Sequence, residues 1–584
     1  MPVTPSAAPG RAPSALDRLA DEYVDLSVRL DPFLATELGA PGYDALVTDY
    51  SPDAVGERTD AARTLLSAIA EVPDQDAADA VTRAALTERL GLEIERAEQR
   101  LDIAMVNNLA SPLQSRDVLD QMPAETAEDW QVIAERLAAM PHSLSTWAQS
   151  LREAADHGVV SARRQLLLGA EQARGFAARD GFFAGFAAQG LGDDAQRTRL
   201  TEAARAAAEG YREIADVLES LADRAPEADA VGREAYQLAS RTFLGTEIDL
   251  EETYAWGIEE LRAIVAEQET VARRINEHHG TGGGSSVTAA KAALNSDPSR
   301  VLHGTEALRT WMQQLSDRAI TELAGTHFDI PAPLHQLECR IAQTGSGGIY
   351  YTGPSEDLTR PGRMWWDVPA GTTEFHTWLE TTTVYHEGVP GHHLQVGTQT
   401  LQASTLNRWR ALMCWVSGHG EGWALYAERL MDQLGHLEDD GDRLGMLDAQ
   451  RLRAGRVVLD IGLHVGLPMP EGIEGSAGGA WSVAKAWDFM SEHWGVTEAE
   501  QRFELHRYLG WPGQAPSYKI GQRVWEQLRA RATAPSAGSA STSTSSATST
   551  TAGTTDSAQQ VREFHRRALE LGSLPLSVLE GVLS

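Results

Sequence analysis

Residues 200–222 have the sequence LTEAARAAAEGYREIADVLESLA, in which apolar side chains recur every three or four positions. This spacing places them on one face of an α-helix, a conformation that Ala, Glu, Arg and Leu favour. The pattern is repeated at residues 82–101 and extends, interrupted by glycine and proline, over about residues 15–274. It resumes over residues 373–531. These segments predict a mainly α fold.

A different pattern lies between the two helical regions. The segments GSGGIYYTGP (residues 345–354) and MWWDVP (residues 364–369) combine aromatic residues with glycine and proline turns. Short runs of this kind are typical of strands. We therefore predict a large helical body with a small β-sheet directly before the helix that carries the histidines described below.

The charge balance restricts the class of partner. The chain has 584 residues, 42% of them hydrophobic, which is enough for a large core. Its 83 acidic and 50 basic residues give a net charge of −33. Nucleic-acid surfaces need clustered Lys and Arg, so this excess of acid argues against a nucleic-acid partner.

Cysteine content and the lack of leader-like segments predict a cytoplasmic protein without membrane contact. Cys339 and Cys414 are too few for a disulfide framework, and we expect both to be reduced and buried. The N-terminus has no basic segment followed by an apolar one. No stretch of about 18 uncharged apolar residues occurs.

Two low-complexity segments flank or interrupt the predicted body. Residues 1–18 are rich in Pro, Ala and Ser and are expected to be flexible. Residues 534–558 are almost entirely Ser, Thr, Ala and Gly, which bury too little apolar surface to become ordered. We predict one helical body over residues 19–584, with its catalytic part at about residues 340–531 and a disordered loop insertion at residues 534–558.

The segment VYHEGVPGHHLQ (residues 384–395) contains three histidines and one glutamate. Zinc peptidases place two histidines four residues apart on a helix, and the glutamate after the first acts as general base. By this comparison His386 is a metal ligand and Glu387 is the base. The next histidines, His392 and His393, follow too late for that simple spacing.

Proline suggests how the site closes. Pro390 lacks an N–H and interrupts the helix, so a kink with a two-residue insertion at Val389 and Pro390 would return His392 to the ligand position. On an undistorted helix His393, seven residues after His386, would be nearly in phase instead. We favour His392 as the second ligand, and the other histidine then binds substrate or packs.

The segment GHGEGWALYAE (residues 418–428) is the predicted source of the third ligand. A hydrolytic zinc site needs three protein ligands and an open position. Glu421 opens a helical run among glycines that permit close helix approach, and Glu428, two turns later, can hold a ligand histidine. The alternative is that Glu421 is only a favourable acid in a first helical turn.

A polar stripe follows on one predicted helix face. Arg453, Arg456, Asp460 and His464 lie at spacings of three, four and four. A solvated charged face explains this pattern. The functional alternative is that His464, backed by Asp460, presents an imidazolium to an oxyanion or a substrate carboxylate.

The segment ELHRYLGWPGQAPSYKIG (residues 504–521) places a Pro-Gly turn between two helices. Tyr518 is then positioned to donate its hydroxyl to a tetrahedral intermediate, and Arg507 or Lys519 to hold a carboxylate. Ordinary turn and core packing explains these residues equally well.

Together, the motifs HEGVPGHHLQ, EGWALYAERL, RxxRVVLDIGLH and RYxxWPGQAPSYKIG resemble the bacterial family catalogued as domain of unknown function 885. The resemblance extends from residue 44 to residue 576, almost the whole chain. That family is similar to distant gluzincin metallopeptidases, largely helical bodies in which a His-Glu pair, a second His and a downstream Glu hold zinc in a deep cleft. The implied ligands are His386, His392 and Glu421, with Glu387 as base.

The sequence therefore predicts a zinc-dependent amide hydrolase with one zinc ion. We expect a peptidase on short peptides, carboxypeptidase- or dipeptidase-like, or a hydrolase of N-acyl amino acids. Glu387 would transfer the proton, while Tyr518 and His464 would stabilise the oxyanion. A strand edge at residues 345–352 would pair with an extended substrate. The substrate-binding residues of this hypothesis are His393, Arg456, Arg507, Lys519 and Tyr350.

Two other functions use the same ligands. A non-haem iron oxygenase would use His386, His392 and Glu421 as a facial triad but would leave Glu387 without a role. A non-catalytic helical scaffold would use a structural metal, although structural zinc usually has four protein ligands.

Overall fold

The computed structural model describes residues 11–342, 348–355, 358–369, 371–534 and 550–584. The described part is mainly α-helical, which confirms the predicted fold class. The α-helices are α1 (Ala15–Leu30), α2 (Pro32–Glu37), α3 (Pro52–Glu71), α4 (Ala77–Glu98), α5 (Leu101–Ala104), α6 (Ala127–Asp156), α7 (Arg163–Phe176), α8 (Phe182–Ala187), α9 (Asp194–Leu221), α10 (Arg233–Leu244), α11 (Leu250–His279), α12 (Val287–Asn295), α13 (Thr305–Leu323), α14 (Thr377–Glu387), α15 (His392–Leu401), α16 (Ser417–Gln433), α17 (Asp440–Val465), α18 (Val483–His493), α19 (Glu498–Gly510), α20 (Ser517–Ala532), α21 (Thr550–Glu570) and α22 (Leu576–Leu583).

Local sequence explains where several helices begin. Helix α9 follows Asp193, whose carboxylate accepts from the Gln196 N–H while the Gln196 side chain accepts from the Asp193 N–H. Helix α1 has the same capping box at Ser14 and Asp17. A helix therefore begins inside residues 1–18, which were predicted to be flexible; residues 1–10 lie outside the described residues.

Most buried apolar side chains of the described residues form two cores. One lies within residues 106–222, where α6, α7, α8 and α9 pack together. The other extends from Leu16 to Leu579 and contains the helices of the candidate site. Within it, α17 packs against α11, α14, α18 and α20, and residues 454–464 are buried without exception. The predicted polar stripe of this helix is consequently not a solvated face.

The predicted small sheet is confirmed. The strands are β1 (Val301–His303), β2 (Leu337–Ile341), β3 (Ile349–Thr352), β4 (Gly362–Trp366) and β5 (Glu374–His376). Strand β4 is central, parallel to β2 and antiparallel to β3, and β1 pairs antiparallel with β5. The helix predicted from residue 373 begins at Thr377 instead, because residues 374–376 pair with β1.

Glycines bring the backbones of the site helices into contact. A Cβ on Gly422 of α16 would lie 2.5 Å from Gly521 of α20, and a Cβ on Gly521 would lie 1.9 Å from the Gly418 carbonyl oxygen. Likewise, a Cβ on Gly445 of α17 would lie 2.0 Å from the Trp378 carbonyl oxygen of α14. Only glycine permits these approaches, so they fix α16 against α20 and α17 against α14.

Most of the insertion predicted at residues 534–558 lies outside the described residues. Residues 535–549 are not among the described residues, and helix α21 begins at Thr550, earlier than the return of order expected at Val561. In the part of the chain that the structure describes, no helix has the length and apolarity needed to span a lipid bilayer.

Candidate metal centre

A tight turn brings the first two predicted ligands together. Helix α14 ends at Glu387, a cis peptide bond joins Val389 to Pro390, and α15 begins at His392. A Cβ on Gly391 would lie 1.9 Å from the His386 carbonyl oxygen, so this position requires glycine. The ring centres of His386 and His392 lie 5.0 Å apart, and the two ring planes are nearly perpendicular, at 88°.

The predicted single kinked helix is therefore corrected to two helices joined by a turn. The Gly391 N–H donates to the Tyr385 carbonyl oxygen at 3.1 Å, and the His393 N–H donates to the Gly388 carbonyl oxygen at 3.1 Å. These bonds close the turn around Pro390, which has no N–H to donate.

Glu421 of α16 completes a group of three metal-type donors. Its Oε2 lies 3.4 Å from His386 Nε2 and 3.6 Å from His392 Nε2. One ligand atom from each of the three residues lies within 4.8 Å of the others. Two imidazole nitrogens and one carboxylate oxygen are a donor set suited to zinc. The Nε2 atoms of His386 and His392 both face the Glu421 carboxylate. We refer to His386, His392 and Glu421 as the triad.

A second carboxylate orients His386 within the triad. Glu428 Oε1 lies 2.8 Å from His386 Nδ1, and Glu428 Oε2 accepts from the Thr382 hydroxyl at 2.7 Å. A carboxylate only accepts, so Nδ1 carries a proton, and Nε2 is the ring nitrogen that faces Glu421. Metal-binding histidines are commonly held by such carboxylates. This role of Glu428 was predicted from the sequence, whereas that of Thr382, one helical turn before His386, was not.

An amide supports the other histidine in a similar manner. His392 Nδ1 lies 3.4 Å from Gln395 Oε1, and Gln395 Nε2 lies 3.3 Å from His419 Nδ1. Burial lowers the pKa of His419 to about 3, so this ring is neutral and able to accept. Gln395 follows His392 by three residues on α15, a spacing that a search for helical neighbours would have found.

The electrostatics of the triad favour a cation. Burial lowers the pKa of His386, but its hydrogen bonds to Glu421 and Glu428 outweigh burial and raise that pKa to about 10. Burial also acts to raise the pKa of Glu421, yet His386 and His392 hold it well below its usual range. The carboxylates therefore require a positive charge here, which either a proton or a metal ion can supply.

Glu387 lies beside the triad, and one of its carboxylate oxygens is unpaired in the described part of the chain. Its side chain is buried, and Oε2 has no hydrogen-bond partner among the described residues. Burial raises the pKa of this carboxyl, although the nearby His392 and His386 act in the opposite direction. A buried, unpaired carboxylate oxygen is costly unless a further group binds it. The residues present thus fit a metal ion with an associated water molecule.

His393 turns away from the triad, which distinguishes the two candidate second ligands. Its Nδ1 lies 2.9 Å from the Tyr351 hydroxyl, and its Nε2 lies 2.9 Å from the Leu334 carbonyl oxygen. Burial lowers the pKa of His393 to about 4, and the side chain is 0% exposed. A substrate-binding role for His393 is therefore not supported, because both ring nitrogens are used in packing against the sheet.

Tyr518 of α20 lies near two predicted substrate-binding cations, Arg456 of α17 and Arg507 of α19. Burial and the negative charge of Glu421 raise the pKa of Tyr518, and the Arg456 guanidinium lies 5.3 Å from its ring centre. Glu504 accepts from Arg456 Nη2 at 2.7 Å and from Arg507 Nη1 at 2.8 Å. Two guanidinium groups thus share one carboxylate, leaving one positive charge in excess. The role of Glu504 was not predicted from the sequence.

His464 does not take the predicted oxyanion position. Its Nε2 lies 2.9 Å from the Tyr508 carbonyl oxygen, and its ring stacks on Tyr236 at 5.8 Å. Asp460 accepts from the Tyr236 hydroxyl at 2.7 Å and from the Gly513 N–H at 2.8 Å, while its other oxygen is 3.9 Å from His464 Nε2. Both side chains connect buried helices and the turn before α20, which favours a structural role.

Lys519 and Tyr350, two further predicted substrate-binding residues, have different surroundings. Lys519 Nζ lies 2.8 Å from Glu260 Oε1 and donates to Gln450 Oε1 at 2.6 Å, so this buried cation is already paired. Tyr350 is 38% exposed on β3, an edge strand of its sheet, and stacks on Trp365. Lys519 therefore has no free charge for a substrate, whereas Tyr350 is accessible.

Comparisons with known proteins match nearly the whole chain. The family described as "Bacterial protein of unknown function (DUF885)" matches residues 32–583. A crystal structure of a candidate lipoprotein from Colwellia psychrerythraea has a TM-score of 0.76 and 22% identity, covering 97% of this chain and 98% of that chain. A candidate lipoprotein of unknown function from Shewanella oneidensis has a TM-score of 0.70 and 14% identity, covering 98% and 100%. No curated protein matches in sequence. The two solved structures share the fold.

Proposed function

The chain belongs to the DUF885 family of bacterial proteins of unknown function, and from its candidate metal centre we propose that it is a zinc-dependent hydrolase of amide bonds. The proposal includes a distant relationship to the gluzincin metallopeptidases. One observation carries it: the buried Glu387 carboxylate, with an unpaired oxygen, follows directly after His386, which converges with His392 on Glu421. This combines three donors with a base, as hydrolytic zinc sites require.

His386, His392 and Glu421 would hold the zinc ion. Bound zinc would lower the pKa of a coordinated water molecule and polarise the substrate carbonyl. Glu387 would accept the proton at a carboxylate oxygen and deliver it to the leaving amine. Its raised pKa, caused mainly by burial, suits a group that must both accept and release a proton.

Tyr518 is the proposed oxyanion donor. The negative charge of Glu421 acts on its phenol, and burial keeps that phenol protonated because its pKa is raised. A neutral phenol is able to donate a hydrogen bond to developing negative charge. We do not propose His464 as an oxyanion donor, because its ring contacts the Tyr508 carbonyl oxygen and Tyr236.

The proposed substrates are short peptides or N-acyl amino acids with a free carboxylate. The excess positive charge of Arg456 and Arg507 over Glu504 supports this class, and Arg507 Nε has no partner among the described residues. Strand β3, at the edge of its sheet and with the exposed Tyr350, would offer backbone groups for an extended substrate. Cytoplasmic localisation, without nucleic-acid or membrane partners, remains a prediction.

Zinc-loaded protein incubated with a mixed library of peptides and N-acyl amino acids, followed by mass spectrometry, tests the proposal. We expect cleavage next to a C-terminal residue, and the cleavage position separates carboxypeptidase, dipeptidase and amidase action. Glu387→Gln should retain zinc but lose turnover, since the amide cannot take up the proton. Glu380→Gln is the matched control, as this half-buried glutamate lies two turns earlier on α14.

Three outcomes would contradict the proposal. An active Glu387→Gln protein would exclude the proton-transfer role. Stoichiometric iron with oxygen consumption would favour the oxygenase. A fourth protein ligand on the metal would favour a structural site.

A further inference from the structure

Trp415 is a large aromatic side chain that stays 47% exposed beside the triad. It lies between the π-helical turn Trp409–Met413 and α16, the helix that carries Glu421. Its ring centre is 6.2 Å from that of His392, with the planes tilted by 52°. The indole therefore contacts a candidate metal ligand while part of its surface remains open to solvent.

Backbone contacts and a glycine hold Trp415 in this position. The backbone N–H of Trp415 donates to the Met413 carbonyl oxygen at 2.9 Å, and the backbone N–H of Val416 donates to the Ser573 hydroxyl at 3.1 Å. A Cβ on Gly420 would lie 2.2 Å from Trp415 Cη2. Any larger residue at Gly420 would displace the ring, so the first turn of α16 has a glycine where the indole rests.

Exposure alone would carry little meaning, because single apolar side chains are common on protein surfaces. Trp415 differs in being fixed against both α16 and a triad histidine. A rigid aromatic ring supplies a large contact area at a low cost in conformational entropy, which is why tryptophan is frequent in binding sites. Arg456 and Arg507 supply charged groups near Tyr518, whereas Trp415 supplies an apolar surface beside His392.

We propose that Trp415 forms an apolar subsite that binds a bulky hydrophobic side chain of the substrate next to the scissile amide. This inference rests on the proposed hydrolase function and specifies its substrate class. Substrates would be peptides or N-acyl amino acids with an aromatic or branched aliphatic group on the side of the triad that faces Trp415. Small polar groups at that position would gain little from the indole surface.

The test measures binding without turnover. Hydroxamates bind metals directly, so the affinities of acetohydroxamate and a phenyl-bearing hydroxamate for the Co²⁺-loaded protein are compared by visible absorption. We expect the phenyl compound to bind about tenfold more tightly to the wild-type protein, which matches the size of aromatic contacts. Trp415→Ala should remove that preference while leaving acetohydroxamate affinity unchanged, and Trp415→Phe should retain most of it.

Trp487→Ala is the matched control, because this partly exposed tryptophan of α18 packs under the Arg502 guanidinium instead. It should keep the wild-type preference. An unchanged phenyl preference in Trp415→Ala, or no preference in the wild-type protein, would overturn the subsite while leaving the metal centre intact. Failure of Co²⁺ to bind the wild-type protein would instead overturn the proposed function, and the subsite with it.

Discussion

Replacing Glu428 by Gln should weaken zinc binding without disturbing the fold. Glu428 Oε1 is 2.8 Å from His386 Nδ1, Oε2 is 2.7 Å from the Thr382 hydroxyl, and the side chain is 1% exposed. In Glu428→Gln the amide oxygen can still accept from Nδ1, and the amide nitrogen can donate to the Thr382 oxygen. Both contacts survive, so the substitution removes the negative charge and little else.

The expected loss follows from that geometry. Carboxylates that hold metal-binding histidines typically contribute about 10–100-fold to metal affinity. This is about 1.4–2.8 kcal/mol. The full burial of Glu428 leaves no solvent to screen its charge, which argues for the upper part of the range. The retained hydrogen bond argues against a larger loss.

Competition between the protein and a chelator of known zinc affinity measures the effect. Thr382→Val is an informative companion, because it removes one hydrogen bond to Glu428 while keeping the charge. Its zinc affinity should fall less than that of Glu428→Gln. Equal zinc affinities for Glu428→Gln and the wild-type protein would refute the assignment of Glu428 as the group that orients His386.

Three further predictions concern other parts of the chain. His392→Ala should lower zinc affinity by about 100-fold or more, whereas His393→Ala should change it far less. The same chelator competition measures both affinities. The opposite order of effects would make His393 the second ligand instead of His392. Gly391→Ala should lower both the melting temperature and zinc affinity, because its Cβ would meet the His386 carbonyl oxygen at 1.9 Å. Gly91→Ala, at an open position inside α4, is the control and should not lower the melting temperature. Burial raises the folded-state pKa of Glu93 from 4.5 to about 7, so the wild-type protein loses stability as the pH rises from 4.5 to about 7. Glu93→Gln does not ionise, so its melting temperature should exceed that of the wild-type protein by an amount that grows over this pH range. A difference in melting temperature that stays constant from pH 4.5 to about 7 would contradict this prediction.

The triad shows how far local sequence reaches. The roles of His386 as ligand and Glu387 as base were predicted from a local sequence motif, and Pro390 predicted an interruption of the helix. The interruption proved to be a complete turn, because α14 ends at Glu387, α15 begins at His392, and the Gly391 N–H donates to the Tyr385 carbonyl oxygen between them. Spacing alone left His392 and His393 as alternatives.

The polar stripe of α17 shows where such reasoning ends. Arg456, Asp460 and His464 have the spacing of either a solvated face or a site. Both interpretations assume that one face of the helix is free. In the structure other helices surround α17, so Asp460 and His464 contact Tyr236, Gly513 and the Tyr508 carbonyl instead. No local pattern distinguishes a central helix from a peripheral one.

The sequence by itself determined the helical fold class, the small sheet before α14 and the types of donor available for a metal, because periodicity, turn residues and side-chain chemistry are local properties. Only the tertiary structure decided that His392 faces Glu421 while His393 packs against the sheet, and that Trp415 borders the triad. These placements depend on the backbone path through the turn at Pro390 and on glycine contacts between α16 and α20. Such contacts join residues far apart in the chain, and spacing within one segment carries no information about them.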